Sequence, residues 1–115
     1  MSREYRLYLK DILEAQERIR EYTKEMTYKE FAQSKITVDA VIRNLEVIGE
    51  AARKLPPEIR KKSSDIEWRK IAAMRNVLTH EYFGVNTKIV WDVVQNKVEP
   101  VGRFCQNQLK DIQSS

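Results

Sequence analysis

Glycine, proline, cysteine and histidine are scarce: three, three, one and one in 115 residues. The single cysteine, Cys105, excludes an intramolecular disulfide and a cysteine-rich zinc site. Few helix breakers beside a charged fraction of 33% favour a helical protein. No apolar run approaches the roughly 20 residues of a membrane span, and no N-terminal stretch resembles a signal peptide. The expected setting is therefore the cytoplasm, away from membranes. A chain of this length supports one modest core, so residues 1–115 are expected to form a single domain. One histidine and scattered carboxylates make no recognisable ligand set, so no metal or other cofactor is expected. Nucleophilic triads, phosphate loops and dinucleotide fingerprints are also absent.

What the chain does contain is charge, unevenly placed. Its net charge is +4, yet the segment from Arg53 to Arg75 alone holds eight bases (Arg53, Lys54, Arg60, Lys61, Lys62, Arg69, Lys70, Arg75) against three acids (Glu58, Asp65, Glu67). The remainder is close to neutral. Such a patch suits a polyanion, although solvated turn residues around PPEIRKKSS account for it equally simply.

Hydrophobic spacing sets the architecture. Tyr5, Tyr8, Ile12, Ala15, Ile19, Tyr22 and Met26 recur at intervals of three and four, with Leu9 and Leu13 beside them, which predicts a first helix over about residues 3–25. Thr27 and Glu30 fit a capping box opening a short helix, TYKEFAQS. A second long helix, about Thr37 to Leu55, carries Val38, Val41, Ile42, Leu45, Ile48, Ala52 and Leu55 on one face before Pro56 and Pro57 end it. Ser64 and Glu67 offer another capping box, for a third helix burying Trp68, Ile71, Ala72 and Leu78. Gly84 and Asn86 mark a turn and a new N-cap. The last pattern, Val90 to Ile112, contains Pro100, which is expected to kink or split it. With no strand alternation or internal repeat, the fold class is all-α: an up-and-down bundle of four to five helices.

Some residues do not serve packing. Gly49 sits within a helix, where close backbone approach would explain it. Arg43, Glu46 and Glu50 share a polar stripe on the same helix, either self-paired in solvent or supporting a nearby site. The sole histidine lies in RNVLTHEYFG (residues 75–84), with Arg75 before it and Tyr82 after it. On a continuous helix Arg75 and Tyr82 are nearly in line, whereas Arg75 and His80 diverge by about 140°. Either the backbone turns near His80 or two chains pool their copies; acid–base chemistry needs a donor and an acceptor, which a twofold dimer supplies. Histidine exchanges protons near neutrality, and arginine's fork fits phosphate oxygens. Together they suit RNA cleavage by the ribose 2′-hydroxyl, a route that needs no metal. On spacing alone the signal is weak, and a lone helix-end histidine more often serves structure.

The residues Arg75, Asn76, Val77, Leu78, Thr79, His80, Glu81 and Tyr82 match the Arg-x4-His-x-Tyr motif of the HEPN superfamily. Together with AVIRNLEVIGEAARKLP (40–56), WRKIAAMRNVLTHEYFGVN (68–86) and the tryptophan of IVWDVV, nearly the whole chain resembles its HepT toxin branch. That resemblance implies a HEPN-like helical homodimer whose shared cleft holds the catalytic residues Arg75 and His80 of both chains. It further implies a metal-independent endoribonuclease toxin of a type II/VII-like toxin–antitoxin system, acting on tRNA or mRNA. The implied partner is an MntA-like minimal nucleotidyltransferase antitoxin, which silences the toxin by transferring AMP to Tyr82. Asn76 would hold the arginine or touch RNA. The alternative is a non-catalytic helical partner or substrate-binding subunit of such a nucleotidyltransferase. A blander option is a structural bundle whose polar trio merely caps a helix.

Overall fold

Three- and four-residue spacing becomes a stack of antiparallel helices in the computed structural model, which describes the backbone of residues 4–80 and 86–114 and the side chains of 5–74 and 86–113. The helices are α1 (Glu4–Thr23), α2 (Tyr28–Gln33), α3 (Lys35–Lys54), α4 (Pro57–Arg60), α5 (Trp68–His80), α6 (Thr87–Asn96) and α7 (Val98–Ser114). No strand occurs among the described residues, so the all-α class holds. The long helices match the expected bundle; α4 is a single turn between them.

α3 packs against both α1 and α5, and α7 packs against α1 and reaches α5, where the Phe104 ring meets Trp68 edge-on at 5.3 Å. The apolar face of α3 buries Val38, Val41, Ile42, Leu45, Ile48 and Ala52, with Gly49 and Ala51 beside them. Leu9, Ile12, Ala15 and Ile19 of α1 and Val101 and Cys105 of α7 complete that core. Each fully buried aliphatic side chain contributes about 1.5–3 kcal/mol relative to exposure. α6 leans on α7 and α2, where Phe31 and Trp91 rings stand 5.0 Å apart.

Four local expectations need refinement. In α1 the buried face passes through Gln16 and Thr23 instead of Tyr22: Thr23 is 6% exposed and donates its hydroxyl to the Ile19 carbonyl, whereas Tyr22 is 40% exposed. A step of four instead of three keeps the 3.6-residue period aligned with the bundle. α1 also ends two residues early, and Glu25 takes a left-handed φ of 67°, the position helices usually reserve for glycine.

The Ser64–Glu67 box does not form. Glu67 instead pairs with Lys70 at 2.8 Å and Lys97 at 3.7 Å, Ser63 bonds Asp65, and the Trp68 indole N–H donates to the carbonyls of Arg60 and Ser63. The loop is thus wrapped around the tryptophan at the start of α5. Finally, the last helical region breaks at Lys97, between α6 and α7, and Pro100 is the third residue of α7. The expected split thus occurs, three residues ahead of the proline: the ring removes the N–H that would bond the Asn96 carbonyl and crowds that carbonyl, so α6 stops there and Pro100 sits in the first turn of a new helix. The Thr27–Glu30 capping box forms as expected, and Asn86 caps α6 through the Lys88 N–H.

Gly102 of α7 is buried against α1, and a Cβ there would come within 2.6 Å of the Gln16 Oε1 and 2.8 Å of its Cγ. The clash reaches back to the Gln16 Cγ, so the whole side chain must leave its buried rotamer and swing into the open groove of about 280 Å³ that it lines with Arg20 and Val98. Gly102→Ala is therefore expected to cost about 1–3 kcal/mol through overpacking, despite a helix-propensity gain of about 1 kcal/mol. Adding Gln16→Ala should restore part of the loss; urea denaturation midpoints of the single and double variants measure both.

Candidate active site

The motif is carried by α5, which remains helical from Trp68 through His80. Its start is fixed by the Trp68 indole against α4, and its middle faces the middle of α3, where Leu45 shares a surface groove with Ala73 and Met74. α5 therefore runs antiparallel to α3 and carries its backbone from Arg75 toward His80 along α3's N-terminal half. The helix does not turn before His80, so Arg75 and His80 occupy positions about 140° apart around one axis. The side chains of Arg75, Asn76, Leu78 and His80 lie outside the described residues, as does all of Tyr82 and Gly84.

Arg43, Glu46 and Glu50 fall together, on the side of α3 that borders α1. They line an open groove of about 500 Å³ with Tyr8, Asp11 and Lys54. Arg43 is 74% exposed and 3.8 Å from Glu46, and Glu50 pairs with Arg53 at 2.7 Å and Lys54 at 3.6 Å. Lys54 also stands over the Tyr8 ring, 5.6 Å from its centroid. Among described residues the stripe is thus paired with bases of its own helix, the cations exposed and Glu46 and Glu50 half-buried.

The basic segment is divided in two by these contacts. Arg53 and Lys70 each hold a carboxylate, which raises the pKa of both cations through hydrogen bonding and charge, and Glu67 is correspondingly lowered, chiefly by Lys70. Lys61, Lys62 and Arg69 are exposed and form no ion pair with another described residue. They are the part of the segment that can meet a polyanion without first breaking a contact.

Two features had no recognisable signal in the sequence. An apolar groove of about 210 Å³ runs along α5 and α6 between Leu45, Ala73, Met74, Ile89, Val90 and Val93, and Ile89 is 61% exposed at its edge. Ile89 lies off the Val90–Val93 stripe, the one hint that it faces elsewhere. The second is a hydroxyl pair, Tyr28 and Thr87, at 2.8 Å. Among the described residues no group of three or more His, Cys, Asp or Glu side chains could hold a metal ion. Nor is any described helix long and apolar enough to cross a membrane. Cys105 is fully buried, and desolvation pushes its thiol up to about 12, so it is no nucleophile at neutral pH.

Comparison with known proteins bears on this arrangement. A protein-family model described as ribonuclease HepT-like matches residues 12–107. An inferred RNase of Methanocaldococcus jannaschii is 42% identical over 97% of this chain and 93% of its own. An inferred ribonuclease HepT of Thermococcus cleftensis is 41% identical over 90% of this chain and 96% of its own. A third relative, an inferred RNase of Caldanaerobacter subterraneus subsp. tengcongensis, is 38% identical over 93% and 92% respectively. No solved structure matches.

Proposed function

We propose that this chain, which belongs to the ribonuclease HepT-like family of the HEPN superfamily, is the RNA-cleaving toxin of a two-component toxin–antitoxin pair. One observation carries the reading: the family match spans residues 12–107 and includes an uninterrupted helix bearing both Arg75 and His80. His80 takes the proton from a ribose 2′-hydroxyl or returns one to the leaving 5′-oxygen. Arg75 binds the phosphate and neutralises the charge that builds on it in the transition state. Asn76 steadies Arg75 or contacts RNA, and Arg43, Glu46 and Glu50 act as outlying supports. No metal ion takes part in this route.

One imidazole per chain and divergent positions on one helix both favour a homodimer in which two motifs share a cleft. The apolar groove and exposed Ile89 flank the motif in sequence and supply a surface suited to a second copy. Lys61, Lys62 and Arg69 offer the approaching RNA, whether tRNA or mRNA, a positive surface. Control falls to an MntA-like minimal nucleotidyltransferase that transfers AMP from ATP to the Tyr82 oxygen, releasing pyrophosphate. The added bulk and negative charge then oppose an RNA phosphate at the same place. Such a pair works in the cytoplasm.

Protein free of AMP is expected to cut single-stranded RNA with EDTA present, and His80→Ala is expected to abolish cutting while sedimentation still reports a dimer. If wild type and His80→Ala both leave RNA whole yet bind the nucleotidyltransferase, the chain is a binding subunit and not a nuclease. Intact mass after co-expression with that partner addresses control: the wild type gains multiples of one AMP and Tyr82→Phe gains none. An AMP shift that persists in Tyr82→Phe places the modification elsewhere.

A further inference from the structure

Side-chain hydrogen bonds between described residues are local, joining positions no more than eight apart, with one exception. That exception connects the hydroxyls of Tyr28, the first residue of α2, and Thr87, the first residue of α6, at 2.8 Å across 59 positions. Both ends are themselves held. Tyr28 follows the Thr27–Glu30 capping box, and its ring meets Trp91 edge-on with centroids 6.3 Å apart. Trp91 in turn lies 5.0 Å from the fully buried Phe31. Thr87 follows Asn86, whose side chain accepts the Lys88 N–H at 2.9 Å.

We propose that Tyr28 is a positioning residue for RNA cleavage: its hydroxyl fixes the N-terminus of α6 against α2, and with it the turn of α6 that borders the motif helix just before Arg75. This rests on the reading of Arg75 and His80 as the reacting groups. α5 ends at His80 and α6 begins seven positions later, at Thr87. Ile89 and Val90, in the first turn of α6, share a groove with Ala73 and Met74 of α5, the two residues before Arg75, so the seat of α6 bears on that part of the motif helix. Ring packing on Trp91 already joins α2 to α6, and a part-buried hydroxyl pair adds little net stability. What the bond adds is direction, because it forms only at one register of the two helices. Catalysis responds to such register far more steeply than folding does: a misplacement of about 1 Å can cost about 10²-fold in rate.

The test compares wild type with Tyr28→Phe, which keeps the ring, Thr87→Val, which keeps the shape, their double variant, and Thr87→Ser, which keeps the oxygen. Single-turnover cleavage of a single-stranded RNA is expected to fall about tenfold in Tyr28→Phe, in Thr87→Val and in the double variant alike, with Thr87→Ser near wild type. RNA affinity stays unchanged, and melting temperatures stay within a few degrees. Wild-type rates in the two single variants, additive losses in the double, or a loss that follows unfolding overturns the proposal. If wild type itself cuts no RNA, the ribonuclease reading fails separately, and amide hydrogen exchange over residues 81–90 decides the positioning role. Faster exchange there in both variants, with the rest of the chain unchanged, upholds it; unchanged exchange overturns it.

Discussion

Burial of one helix against two others governs this structure. α3 presents Val41, Leu45, Ile48 and Ala52 to a core that α1 and α5 close, with α7 joining those two through its contacts with α1 and the Trp68–Phe104 ring pair. Near-zero exposure at Val41, Leu45 and Ile48 leaves no room for α3 to rotate without exposing large apolar side chains. α5 therefore has its position dictated by apolar contact with α3 and by the Trp68 indole that ties its first turn to α4. The ion pairs between described residues do little to join these helices. Most ion pairs among described residues lie within one helix, as between Glu50 and Arg53, and Glu67–Lys97 is a long pair between exposed partners.

The described apolar faces of α1, α3 and α7, with Trp68 and Ile71 of α5, form one continuous core. On the proposed reading, polar chemistry that would be costly in such a core is carried farther along α5. The basic segment follows the same logic. Arg53 and Lys70 are occupied by Glu50 and Glu67, whereas Lys61, Lys62 and Arg69 stand clear on the surface beside α4 and the start of α5.

Much of the fold was legible because α1 and α3 repeat their apolar residues at three and four over five turns or more, long enough to outweigh local exceptions. The Thr27–Glu30 box and the Asn86 cap were legible for a different reason: both bonds close within three positions, so the sequence shows both partners together. Ser64 and Glu67 had the same spacing and did not pair, since Lys70 and Lys97 offer the carboxylate a full positive charge. Pro100 signalled the split but not its place: the ring acts on the carbonyl four residues before it, so the break falls at Lys97. The motif itself was plain, because Arg75, His80 and Tyr82 lie within eight positions. Tyr28 and Thr87 were not, because nothing local marks two hydroxyls that meet only after α2 and α6 have packed. Gly102 was missed likewise, as its need for a missing Cβ comes from Gln16, on another helix.

On the proposed reading, Arg75 and His80 promote attack by the ribose 2′-hydroxyl without a metal. The chemistry of the RNA ends measures this directly. Purified protein without AMP, incubated with a defined RNA in EDTA, should leave 2′,3′-cyclic phosphate and 5′-hydroxyl ends, identified by mass spectrometry. Fragments ending in 3′-hydroxyl and 5′-phosphate, or cutting that stops in EDTA and returns with magnesium, would contradict it.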